Sequence, residues 1–238
     1  MIIKPFIGVS VFIVVSLPST KYQKMIDFHT HQPPVDNDSS VRSLLISEVD
    51  KITPHDLFTI GIHPWYTEEM DLKAHYSLVN EFAQRSNVIG IGEIGLDKHR
   101  GAPIEKQIEV FEKQVLIAEK LNKPVIIHCV RAWAELLELK KRLKPEMPWA
   151  IHGFRGQSEL VKQLLSAGMY ISFGPESLNA SEGLQESIRT VPLNRLFVET
   201  DDADVSLKYL YTTISKIKRI TTRDLEENIN DNFAEFFG

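Results

Sequence analysis

The chain has 238 residues, of which 43% are hydrophobic, with 27 Lys and Arg against 32 Asp and Glu. That size and composition suit a single α/β domain with a substantial core, and the mildly acidic balance excludes a protein-wide positive field that would gather nucleic acid nonspecifically. A lone cysteine, Cys129, excludes an intramolecular disulfide and a Cys-x-x-Cys zinc site, which leaves the cytoplasm as the expected compartment.

Residues 1–24 form a leader in which Lys4 precedes an apolar run over residues 5–17. The run resembles a signal peptide but has no small-residue cleavage site and is too short to span a bilayer, so no membrane association is expected. Three readings remain: an extra packed element, a translocation signal, or an upstream start ahead of Met25. The last is favoured because the domain pattern begins at Met25 and extends over residues 25–238.

From there, short runs rich in Ile and Val alternate with stretches of helical period, the signature of βα units and a parallel sheet. The expected strands are residues 25–28, 43–48, 57–62, 88–92, 124–127, 149–151, 169–173 and 195–199. The clearest helix is 103–121, with Ile104, Ile108, Phe111, Val115, Ala118 and Leu121 on one face and Pro103 at its start. Further helices are expected over 72–84, 132–143, 158–167, 184–190 and 205–219, and a closing pair of helical segments over 222–237, capped by Thr222. Eight strands with intervening helices point to a TIM (β/α)8 barrel, although the same runs could be split between an open sheet and extra pieces. The first third is too short for full crossover helices, so the barrel is expected to be irregular there, with loops or single turns replacing two outer helices.

In such a barrel the active site lies at the C-terminal ends of the strands. His29 and His31 follow the first run, His63 the third, Glu93 the fourth, His128 the fifth, His152 the sixth and Asp201 the eighth. Residues i and i+2 of a strand share a side, so His29 and His31 can face one metal ion. Singly, each of these residues has an ordinary explanation as a hydrogen-bonded buried histidine or a helix-capping carboxylate. Together on one rim they form a donor set suited to borderline divalent ions such as zinc or manganese.

The segments Ile26-Asp27-Phe28-His29-Thr30-His31, Gly61-Ile62-His63-Pro64, Ile89-Gly90-Ile91-Gly92-Glu93-Ile94-Gly95-Leu96-Asp97, Val125-Ile126-Ile127-His128, Ile151-His152-Gly153-Phe154 and Glu199-Thr200-Asp201 resemble, in order, those of the TatD family of metal-dependent hydrolases. The resemblance runs from residue 25 to about 201, and the ending Asn232-Phe233-Ala234-Glu235-Phe236-Phe237 is similar too. It implies a TIM-barrel phosphodiesterase or deoxyribonuclease of the amidohydrolase superfamily, acting on DNA or oligonucleotides with two divalent ions (Zn, Mg or Mn). By position, His29, His31 and Asp201 would hold one ion, Glu93 would bridge, and His128 with His152 would hold the second. The residues read the same way, because a carboxylate can bridge two cations and two-metal sites suit phosphodiester hydrolysis.

Asp201 is the expected proton acceptor, its other role being that of ligand alone. His63 is expected either to support a ligand or bind substrate phosphate, or to be a packed, hydrogen-bonded histidine. Lys98, Arg100, Arg131 and Arg155 could form a basic collar for a nucleic-acid backbone, with Arg131 and Arg155 the expected substrate contacts. One departure from the family stands out: Asp201 is followed by Asp202-Ala203-Asp204-Val205 in place of a proline-containing loop, and three clustered aspartates repel a phosphate. Hydrolysis of small esters or amides, and a non-catalytic metal-binding barrel, are the alternative functions.

Overall fold

The computed structural model describes residues 24–33, 39–68 and 71–238, so the leader reading falls almost wholly outside the described residues. Eight parallel strands pair in chain order: β1 (Ile26–Thr30), β2 (Ser39–Leu45), β3 (Leu57–Gly61), β4 (Val88–Asp97), β5 (Val125–Val130), β6 (Trp149–Ile151), β7 (Tyr170–Phe173) and β8 (Leu196–Val198). The helices are α1 (Leu72–Phe82), α2 (Ile104–Leu121), α3 (Trp133–Leu143), α4 (Ser158–Ser166), α5 (Glu182–Thr190), α6 (Leu207–Lys218) and α7 (Thr222–Phe237). This is the expected TIM barrel. Its first third is irregular as anticipated: no α-helix is described between β1 and β2, and a single 3-10 turn, Ile46–Lys51, separates β2 from β3.

The barrel closes at a sparse seam. β1 and β8 meet through the bridge Thr30–Asp201, with Asp201 N–H donating to His29 O and His31 N–H to Asp201 O, both at 3.0 Å. Side chains supply the rest. The Asp27 carboxylate accepts from Thr200 N–H (2.9 Å) and from its hydroxyl (2.5 Å), and the Tyr211 hydroxyl of α6 accepts from Ile26 N–H and donates to Ile26 O (2.8 Å). Burial pushes the Asp27 carboxyl up to about 7, against the hydrogen bonds from Thr200. Beneath the seam Phe28 stacks on Phe197 at 4.0 Å, and Phe236 of α7 meets both rings edge-on.

Three expectations need correction. β2 spans Ser39–Leu45 rather than 43–48, because Glu48 folds back to accept the Leu45 N–H at 3.1 Å and turns Ile46 into the 3-10 segment. β4 and β5 continue past their apolar runs, so Glu93 and His128 sit within strands; the ladder proceeds through Gly95–His128 and Asp97–Val130. The C-terminal stretch is one helix. Leu225, Ile229, Asn232 and Phe236 share its buried face without a break, and the cap is Thr221, in a reciprocal capping box with Asp224.

Candidate metal centre

Both strands that carry the central donors lose register beside them: the β1–β2 pairing shifts between Asp27 and Thr30, and the β4–β5 pairing between Ile91 and Ile94. Such irregularities re-aim side chains and are common next to active sites. The glycines of the Gly92-Glu93-Ile94-Gly95 segment explain how β4 lies so close to β5. A Cβ at Gly95 would collide with the carbonyl oxygen of His128, and one at Gly92 would press on Ile126 at 2.9 Å.

Glu93, 6% exposed, is the hub. Its Oε1 is met by His152 Nε2 at 2.6 Å, His128 Nδ1 at 2.8 Å and His63 Nε2 at 3.0 Å. Its Oε2 faces His29 Nε2 and His31 Nε2, each at 3.4 Å, and the same two nitrogens lie 3.8 and 3.6 Å from Asp201 Oδ1. The two oxygens of one carboxylate therefore look toward two different sets of imidazoles. Among the described residues, three groups bring their donor atoms within 4.8 Å of one another: His29, His31 and Glu93; His29, His152 and Asp201; and His63, Glu93 and His128.

Electrostatics tie this cluster together. Burial alone would raise the Glu93 pKa, but the charge of His152 and hydrogen bonds from His128 and His152 hold it well below the usual carboxylate range. Burial would likewise lower His152, and is outweighed by Glu93 and Glu199, which hold its pKa well above the usual value. For His63 burial prevails over Glu93 and its pKa is lowered. The cluster passes a direct test of fitness for a cation. His29 is fully buried, yet among the described residues neither of its ring nitrogens has a hydrogen-bond partner. A wholly buried imidazole with a bare nitrogen aimed between two carboxylates suits a metal ion better than a proton network.

The six expected ligands thus come together, and His63 joins them at hydrogen-bonding distance from Glu93. Of the collar, Arg131 and Arg155 line the cavity of about 1010 Å³ above the cluster. Arg155 pairs with Glu176 at 2.7 Å and Lys98 with Glu135 at 2.6 Å, while Arg131 has no ion pair among the described residues. Cys129 also lines the cavity, but burial pushes its thiol pKa upward, so it stays protonated.

Two carboxylates had no role in the sequence reading. Glu199, fully buried, accepts the Gly153 N–H at 2.5 Å and lies 3.4 Å from His152 Nδ1. Asp97 Oδ2 lies 3.1 Å from His128 Nε2 and accepts the indole N–H of Trp65 at 2.6 Å. Asp97 hydrogen-bonds the far nitrogen of His128 and so fixes its tautomer and aim, and Glu199 faces the far nitrogen of His152 as a buried charge. The signal was available: Glu199 is two residues from Asp201 on the same rim, and Asp97 is the last residue of β4.

Comparison with known proteins agrees with this architecture. A family model described as TatD related DNase matches residues 14–238. The chain belongs to the TatD family of metal-dependent hydrolases. A Bacillus subtilis protein named uncharacterized metal-dependent hydrolase YabD is 26% identical over 214 residues, covering 82% of this chain and 84% of the relative. A protein of Escherichia fergusonii named 3′-5′ ssDNA/RNA exonuclease TatD is 31% identical over 152 residues, covering 62% of this chain and 58% of its own. The crystal structure of YJJV, a TatD homolog from Escherichia coli K12, superposes with a TM-score of 0.78 at 20% identity, covering 90% of this chain and 98% of that one, which shows the shared fold. Among the described residues no helix of this TatD-family chain is long and apolar enough to cross a membrane.

Proposed function

We propose that this chain is a phosphodiesterase that cleaves DNA or oligonucleotides with two divalent ions held on either side of Glu93. The observation that carries the reading is the split environment of that carboxylate, with His29 and His31 toward Oε2 and His128, His152 and His63 toward Oε1. His29, His31 and Asp201 would hold one ion, His128 and His152 the other, with Glu93 between them. When bound, such a pair supplies Lewis-acid chemistry, polarising a phosphoryl group and lowering the pKa of water.

The remaining work falls to the chain itself. Both carboxylates line the cavity, but Asp201 is 22% exposed against 6% for Glu93. Asp201 can therefore orient an attacking water and take its proton, while Glu93 stays an anion that organises the histidines. His63, with its Nδ1 engaged by the Trp65 N–H at 3.2 Å, turns Nε2 to Glu93 Oε1 at 3.0 Å and lines the cavity, where it would meet a substrate phosphate only by giving up that contact. Arg131 lines the same cavity and can neutralise a phosphate oxygen; Arg155 would first have to leave Glu176. The names of the nuclease relatives support a nucleic-acid substrate.

The test is to load the purified protein with Zn, Mn or Mg and compare single-stranded DNA and a small phosphodiester with ester and amide panels. Metal-dependent phosphodiester cleavage is the expected result. Turnover of esters or amides without any phosphodiester cleavage would overturn the reading.

A further inference from the structure

Trp65 and Tyr66, 38% and 39% exposed, stand side by side on the 3-10 turn Pro64–Tyr66 directly after His63. Both line the cavity over the metal cluster and, on their other side, a hollow of about 390 Å³ walled with Arg100 and Gly101. The two rings therefore form a partition between the candidate centre and an adjoining space large enough for a small ligand group.

This partition is braced from every side. The Thr67 hydroxyl donates to Pro64 O at 2.8 Å, and His63 Nδ1 accepts the Trp65 N–H. The Trp65 indole N–H is spent on Asp97 Oδ2, the same oxygen that lies against His128. Gly101, at φ 85°, lets its loop press on the turn so closely that a Cβ there would collide with Pro64 O. The Arg100 guanidinium lies over the indole, 4.2 Å from its centroid.

Large rings held rigid and left in solvent offer contact area at little entropic cost. With its one polar atom engaged and one face under Arg100, Trp65 can read no hydrogen-bonding edge; what it and the Tyr66 ring offer is flat aromatic surface. A planar base suits that surface whatever its identity, and a neighbouring guanidinium suits the phosphate attached to it. A paired base, stacked within a duplex, cannot reach it.

We infer that Trp65 and Tyr66 form a stacking platform for an unpaired base next to the scissile linkage, with Arg100 taking a backbone phosphate beyond it. The inference rests on the phosphodiesterase reading above and adds to it the two rings that hold the base, with tolerance of sequence.

The test measures binding to the metal-loaded full chain by fluorescence anisotropy. The probes are a labelled, hydrolysis-resistant phosphorothioate oligothymidylate and the same strand built of abasic units, equal in charge but without bases. The base-bearing strand should bind about 10-fold more tightly, the scale of one aromatic–base stack. Tyr66→Leu and Trp65→Leu should each remove most of that difference at unchanged metal content, Trp65→Phe should keep most of it, and Arg100→Ala should weaken both strands alike. Equal affinity for the two strands in a protein that still cleaves a small phosphodiester would overturn the platform and leave the phosphodiesterase reading standing. Absence of phosphodiester cleavage with every metal would overturn the reading and the platform with it.

Discussion

At the floor of the cavity, Glu93 is almost sealed from solvent and met by five imidazoles; at the rim, cations stand in loops and most already have partners. His29 and Glu93 project from strands whose neighbours are locked by the sheet, whereas Lys98 and Arg155 are engaged by Glu135 and Glu176 and Arg100 by the Trp65 ring. The difference teaches that the candidate metal ligands stand on the part of the molecule fixed by the sheet, where five imidazoles converge on one carboxylate. Substrate recognition cannot be read by counting rim charges, because an exposed ion pair contributes little and exchanges readily. Flat aromatic surface, and Arg131 and Arg100, which have no ion pair among the described residues, are what the rim has left to offer.

Substitutions should separate these regions in order of effect. Glu93→Gln removes the hub, and should lower phosphodiester turnover by more than about 1,000-fold, with fewer ions bound per chain at unchanged circular dichroism. Retention of near-normal rates would put the chemistry elsewhere. Asp201→Asn should cost a similar factor in kcat, measured at saturating metal, because it removes the more exposed of the two cluster carboxylates that line the cavity. Asp97→Asn and Glu199→Gln act through His128 and His152, and should each lower metal affinity or turnover by roughly 10–100-fold. His63→Ala sharpens the boundary between floor and rim: a rise in KM at full metal content assigns it to substrate, and loss of an ion assigns it to the metal. The smallest effect is expected at the rim, where Arg155→Ala should change kcat/KM by less than about 3-fold, since Glu176 already occupies its guanidinium.

Much of the floor was legible because strands impose a period of two and the barrel puts strand ends on one rim. His29-x-His31, His128 and His152 followed from apolar runs that ended in histidine. Glu93 was found by the same rule even though β4 continues to Asp97, because the side chain still faces the centre across the register shift. What escaped the sequence were relations between elements. Glu199 and Asp97 became meaningful only when folding set them against the far nitrogens of His152 and His128, and the neutralisation of Arg155 depends on Glu176, which lies on a different strand-end loop. The end of β2 and the start of α7 turned on single capping contacts, from Glu48 and Thr221, whereas the unity of α7 follows from its unbroken buried face.

The most direct test of the account is a crystal structure of the zinc- or manganese-loaded protein with anomalous diffraction collected at the edge of the metal. The account predicts two anomalous peaks, one on each side of the Glu93 carboxylate, the first beside His29, His31 and Asp201 and the second beside His128 and His152. A single peak, or two peaks that do not share Glu93, would contradict it.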